Sequence, residues 1–195
     1  MCLVTVESFL VSSVLNAIPA TAGSVANAYL GPISTLPVTG GYTATLPAAT
    51  GTVMVSGNMP AFSASPSATT TLSPSTYTKI TYGTKLFDTN SMYDATNSKF
   101  QPTIAGYYQI NAGFGEGIST ANMTLYVLLK KSGTTIAQNQ TVQPTAWYDN
   151  VQISMLVYMN GTTDYIEVYG FAGSAYTNQT NAYTNWFNGA LVRTA

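Results

Sequence analysis

From Thr78 to the C-terminus, apolar and polar positions alternate with a period near two, the pattern of strands that bury one face. The alternation starts at Ile80 and Tyr82, with Leu86-Phe87 following among Thr and Lys. It predicts strands over Gly106–Gly113 (GYYQINAG), Met123–Lys131 (MTLYVLLKK), Val151–Met159 (VQISMLVYM), Asp164–Tyr169 (DYIEVY) and Trp186–Val192 (WFNGALV). Turns are signalled at Pro102–Ala105, at Ser132-Gly133 and, most strongly, at Asn160-Gly161. Several short strands with regular turns predict an all-β sandwich or jelly roll. Phe100, Tyr107, Phe114, Trp186 and Phe187 are expected to supply its largest buried area. Gly106 and Gly189 are expected where backbone passes without room for a side chain.

The preceding part reads differently. Residues 8–78 contain no Asp, Glu, Lys or Arg, yet hold seven of the nine prolines. Proline excludes continuous helix or central strand over most of this stretch. Disordered segments usually carry high charge and few apolar residues, whereas this one is uncharged and keeps Val, Leu, Ile and Ala. It reads as an extended arm, residues 1–57, that orders against another surface. Within it, Leu3, Val6, Leu10 and Val14 predict a helix over residues 3–18, stopped by Pro19, with a short strand as the competing reading. The same N-terminal residues have the apolar patch of a secretory leader, but Glu7 and the lack of Lys or Arg argue against one.

Charged residues make up only 7% of the chain, so its surface must be covered by Thr, Ser, Asn, Gln and Tyr or hidden against partners. Six scattered basic residues and a net charge of −1 give no nucleic-acid face. No apolar run reaches the ~18 residues of a membrane span. The single cysteine, Cys2, excludes an internal disulfide framework. It reads as a buried or incidental thiol, the alternative being a lipid anchor.

Histidine is absent, which removes the commonest general base and metal ligand and every Ser-His-Asp or Cys-His scheme. Asp164 and Glu167 fall at odd spacing on a predicted strand and so point to opposite faces. Asp88 and Asp94 would have to meet across a turn to act as a pair, and solvated turn residues are the plainer reading. No catalytic residue, metal site or cofactor is expected. Trp147, Tyr148, Tyr176, Tyr183 and Trp186 lie among Asn, Gln and Thr. They are candidates either for stacking on sugar rings or for packing in the core and at a subunit interface. Asn122, Asn139, Asn160 and Asn178 each begin an Asn-x-Thr triplet, which matters only in a glycosylating host.

A series of motifs in fixed order resembles the C1q-like domain of the C1q/TNF superfamily. Pro60-Ala61-Phe62-Ser63-Ala64 is similar to its opening segment. Ile80-Thr81-Tyr82 with Leu86-Phe87-Asp88 follows, then Phe100-Gln101-Pro102 with Ala105-Gly106-Tyr107-Tyr108. Leu129-Lys130-Lys131-Ser132-Gly133 is next, then Met159-Asn160-Gly161 with Asp164-Tyr165-Ile166, two residues longer than the family pattern. Phe187-Asn188-Gly189-Ala190-Leu191 closes the series. The resemblance covers residues 58–195. It implies a ten-stranded C1q/TNF-like jelly-roll β-sandwich that assembles as a tight homotrimer. Such an assembly would also account for the scarcity of charge.

Residues 1–57 contain no Gly-x-y repeat, so no collagen stalk is expected in them. A C1q-like head behind an uncharged, proline-rich arm resembles structural proteins of tailed bacteriophages. The expectation is a non-enzymatic virion component on the outer surface of the capsid. It would be a trimeric decoration (cement) protein held to the major capsid protein or other virion proteins by its arm. The alternatives are a tail-fibre or spike tip that binds a host glycan, and a secreted C1q-like binding protein.

Overall fold

The computed structural model describes residues 59–195. The arm over 1–57 and the helix expected over 3–18 lie outside the described residues, as does Cys2.

The described chain is all-β. Its strands are β1 (Ala61–Ser65), β2 (Thr71–Leu72), β3 (Thr78–Lys79), β4 (Thr84–Asp88), β5 (Tyr93–Asp94), β6 (Lys99–Phe100) and β7 (Gly106–Ile118). After these come β8 (Met123–Lys131), β9 (Thr134–Gln143), β10 (Tyr148–Met159), β11 (Ile166–Ala172), β12 (Tyr176–Thr177) and β13 (Trp186–Thr194). One sheet runs β10-β7-β13-β1-β4, the other β5-β6-β11-β8-β9 with β3 also on β11. Every pairing is antiparallel, and β12 with β2 forms a small third ladder.

Alternation places the core between the sheets. Along β7, Tyr108, Ile110, Ala112 and Phe114 point inward, opposite Val157, Met155, Ile153 and Val151 of β10. Along β13 the inward set is Phe187, Gly189 and Leu191. Phe62 stacks on Phe100 at 4.3 Å and on Tyr93 at 5.0 Å, and meets Phe187 edge-on at 4.9 Å. Four rings therefore bridge the two sheets, in the offset and edge-to-face arrangements that ring quadrupoles favour. Gly189 is where Phe62 crosses. A Cβ there would fall 2.7 Å from Ile110 Cδ1 and 2.9 Å from the Gln109 carbonyl.

Phe100, Phe114 and Phe187 are buried as expected. Tyr107 is not, because the inward parity of β7 belongs to Tyr108, and Tyr107 is 41% exposed. Trp186 is only half-buried, on the outward face of β13. Several strands run beyond the expected limits: β7 continues to Ile118, β10 starts at Tyr148 and β13 runs to Thr194. Asp164 and Tyr165 precede β11 rather than opening it.

The strand register fixes two poles. Thr194 and Met159 both pair with Gly106, and the Pro60 carbonyl accepts from Leu191 N. Pro60, at the start of the described residues, therefore lies at the pole that also holds the C-terminus. Ile118 and Tyr148 pair at the opposite pole, about 40 Å away at about 3.3 Å per residue.

Candidate functional site: two faces of the jelly roll

The outward face of the five-stranded sheet carries no charged residue along β7, β10 and the stretch Trp186–Ala190 of β13, up to the pole where Glu116 lies. Near the chain-entry pole it exposes Tyr107, Leu156 and Tyr158, and the Tyr107 and Tyr158 rings lie 5.5 Å apart. Its centre is a lattice of amides. Gln109 Nε2 donates to Ser154 Oγ at 2.8 Å, Ser154 Oγ donates to Asn111 Oδ1 at 2.8 Å, and Asn111 Nδ2 donates to Asn188 Oδ1 at 3.0 Å. Beside the lattice, Ala61, Ser63, Ala190 and the half-exposed Phe87 line an open depression of about 290 Å³. Trp186 closes the far end. Its ring covers Gly113, where a Cβ would come within 3.1 Å of it.

The second face is the distal pole. β7 and β10 lose register there: Ile118 faces Tyr148 but Gly115 faces Asn150, so β7 advances three residues while β10 advances two. The extra residue of this bulge is Glu116, held at φ 62°, a left-handed conformation that is uncommon outside glycine. Both neighbours are glycines for lack of space. A Cβ on Gly115 would lie 2.3 Å from the Asp149 carbonyl, and one on Gly117 would lie 2.3 Å from the Thr177 carbonyl. The bulge turns the Glu116 carboxylate toward the segment 178–185, where its Oε1 accepts from Asn181 Nδ2 at 3.1 Å. Asn185 locks that segment to the bulge: its Oδ1 accepts from Gly115 N at 2.8 Å and its Nδ2 donates to the Gly115 carbonyl at 3.3 Å.

The five aromatic candidates separate. Trp147 and Tyr148 stand together at the distal pole, 67% and 57% exposed, with rings edge-to-face at 6.0 Å. The Trp147 carbonyl is fixed by both N–H and Oγ of Ser119 at 3.0 Å. Tyr183 belongs to the same pole and is 91% exposed, with its N–H on Asn181 Oδ1. Trp186 lies on the sheet face described above. Tyr176 cannot meet a ligand as the sequence allowed. It is buried, its ring edge-on to Phe114, and its hydroxyl accepts from Gly117 N at 2.9 Å. Burial pushes its phenol well above the usual range. Ile118, Glu116 and Asn181 join the exposed pole and were not anticipated. The one available signal was Gly-Glu-Gly inside a strand pattern, which marks a bulge.

The remaining carboxylates serve local structure. Burial would raise the Asp88 carboxyl, but Lys85 and the N–H groups of Tyr93 and Met92 outweigh that and hold it below the usual carboxylate range. Asp94 accepts from Asn97 within its own turn, so the two turn aspartates do separate jobs. Asp164 pairs with Lys131 at 2.8 Å and Glu167 with Lys79 at 2.6 Å. Asp149 has no such partner. It is 1% exposed, Oδ1 receives only Gln143 Nε2 at 3.4 Å, and Oδ2 receives nothing. Burial raises its carboxyl, and the Gln143 amide only partly opposes this. Among the described residues, no three of His, Cys, Asp and Glu gather into a metal-sized group.

No family model matches the sequence, and no curated protein matches it. Solved structures do match the fold. Murine APRIL at pH 5.0 superposes with a TM-score of 0.55 at 12% identity, over 69% of this chain and 100% of that one. Eiger TNF from S. frugiperda superposes with a TM-score of 0.54 at 9% identity, over 70% of this chain and 93% of that one. Murine APRIL at pH 8.5 gives 0.52 at 12% identity, over 69% and 100%. The described domain is a C1q/TNF-like jelly roll.

Proposed function

We propose that the protein is a non-enzymatic, homotrimeric virion structural protein that decorates the outside of a phage capsid. In this reading residues 1–57 hold the shell, and the jelly roll projects from it. The observation that carries the proposal is the uncharged stretch of the outward face along β7, β10 and Trp186–Ala190 of β13, which Arg193 borders at the Tyr107 end. A polar face is costly to bury when its groups lose water without finding partners. Here Gln109, Asn111, Ser154 and Asn188 already bond to one another, so a second copy that covers them has fewer polar groups left to satisfy, the Asn188 Nδ2 among them. Tyr107, Leu156 and Tyr158 supply the apolar area, and the hollow beside Phe87 offers a receptor for a projecting side chain. Interface cores lack charge and favour aromatics, as the stretch along β7, β10 and Trp186–Ala190 does.

Chain polarity supports the anchoring role. The described chain begins with Met59-Pro60 at one pole, and the exposed rings lie at the other. A shell-bound arm therefore directs Trp147, Tyr148 and Tyr183 outward. Burial of apolar and backbone groups across subunit joints would stabilise the shell against internal pressure.

Light scattering of the full chain tests the assembly. The expected mass is three times the 20.6 kDa protomer. Tyr158→Asp, which sets a charge on the face, should yield monomers that retain the β-sheet spectrum. A monomeric wild-type protein at micromolar concentration refutes the trimer. Imaging of labelled protein on intact particles tests the location: hundreds of copies on the head are expected, and copies confined to the tail tip refute decoration. The exposed rings of the distal pole favour that second location, a receptor-binding tip, as the alternative reading.

A further inference from the structure

We propose that the distal pole is a binding site for neutral, pyranose-containing glycans. Its platform is the ring pair Trp147–Tyr148 with Tyr183, and its polar anchor is the Glu116 carboxylate held by Asn181. Two independent observations meet there. Large apolar side chains are normally scattered singly on a surface, whereas Ile118, Trp147, Tyr148 and Tyr183 are all more than half exposed at one end of the sandwich. Next to them the backbone holds Glu116 in a left-handed bulge conformation, wedged between two positions that admit only glycine. A strained non-glycine residue persists only where its surroundings over-determine it, and bulges re-aim side chains beside binding sites.

The chemistry selects the ligand. Exposed rings set at right angles present flat apolar faces suited to the C–H faces of a pyranose. A carboxylate with a neighbouring amide binds a pair of vicinal hydroxyls through charge-assisted bonds. Segments 115–119, 143–148 and 177–186 contain neither Lys nor Arg, and they do contain Glu116. That excess of negative charge repels sulfated, phosphorylated or sialylated chains and leaves neutral sugars as the fitting class. The Ser119 bonds to the Trp147 carbonyl and the Asn185 lock on Gly115 pre-set the geometry, which lowers the ordering cost of binding. The site lies within one chain. Its avidity, though not its existence, rests on the threefold assembly proposed above.

Saturation-transfer NMR and calorimetry on the full chain with maltohexaose, cellohexaose and xylohexaose, and with oligogalacturonate as the anionic probe, test the inference. At least one neutral probe should bind at millimolar concentration or below, with transfer to aromatic protons, and oligogalacturonate should not. Trp147→Ala should weaken binding by about tenfold or more, the effect of losing a central aromatic anchor. Glu116→Gln should weaken it by a smaller factor, while Tyr77→Ala, whose ring packs on Phe171 of β11 in the other sheet, should leave it unchanged. The circular dichroism spectrum and particle mass of each variant are measured alongside, so that loss of binding is separated from loss of fold. Absence of binding for all three neutral probes, a preference for oligogalacturonate, or binding indifferent to Trp147→Ala overturns the inference. A trimer that ignores sugars refutes this site alone, and a sugar-binding monomer refutes only the assembly.

Discussion

Replacing Asp149 by Asn should make the protein more stable at neutral pH and leave it unchanged in acid. Asp149 sits inside the distal end of the sandwich with one oxygen unpaired and the other on a single long bond from Gln143. A buried polar atom without a partner costs about 1–3 kcal/mol, and more when it is charged. Burial therefore raises the folded-state pKa above the unfolded value of about 3.9. Below that value both states hold the proton and ionisation carries no penalty. As pH rises, the unfolded chain ionises first while the native carboxyl keeps its proton. Stability then falls by about 1.4 kcal/mol per pH unit until the folded pKa is reached, and is constant beyond it. Asn keeps the shape and the acceptor for Gln143 but does not titrate. The variant should be the more stable at pH 7, by about 1.4 kcal/mol for each pH unit by which burial raises the carboxyl, and the two stability curves should converge near pH 3. Urea unfolding at fixed protomer concentration from pH 3 to 8 measures both curves, since assembly contributes to apparent stability. Parallel curves, or a variant weaker at pH 7, would show that Asp149 is not an unpaired buried carboxylate.

Asp88 should behave with the opposite sign. Its folded pKa is depressed, so its contribution is present above the unfolded value and lost as pH falls through the folded one. Asp88→Asn should cost about 1.5–3 kcal/mol at pH 7 and little in strong acid, read from the same titrated urea series. Phe187→Ala removes the ring that meets Phe62, Tyr82 and Tyr93 within 6 Å and should cost about 3–5 kcal/mol in urea unfolding. Gly117→Ala sets a methyl group against the Thr177 carbonyl and the Tyr176 ring. It should cost about 1–3 kcal/mol and lower amide exchange protection around β12, measured by hydrogen exchange.

The sequence by itself determined the class of the fold and most of its core. Alternation is a local property, so the strands holding Tyr108, Ile110, Leu125, Val127, Ile153 and Val168 were legible, and Met123–Lys131 has the bounds predicted for it. Phe100, Phe114 and Phe187 were assigned inward for the large apolar area their rings bury, a reason that served equally for Tyr107 and Trp186, which the structure leaves on the outward face. Local pattern failed where neither face was apolar. β9 (TTIAQNQTVQ) is an edge strand with most of its surface toward solvent, and only its register with β8 makes it a strand. Parity failed at Tyr107 and Tyr108, two identical side chains in succession, where one register step decides which is core. Composition around Tyr176 left sugar stacking and core packing both open, and the bulge at Glu116 decides for the core by bringing Gly117 N to its hydroxyl. The division of aromatics into core, sheet face and distal pole, and the isolation of Asp149, depend on which residues meet across sheets. Contacts between residues dozens of positions apart set them, and no period along the chain encodes those.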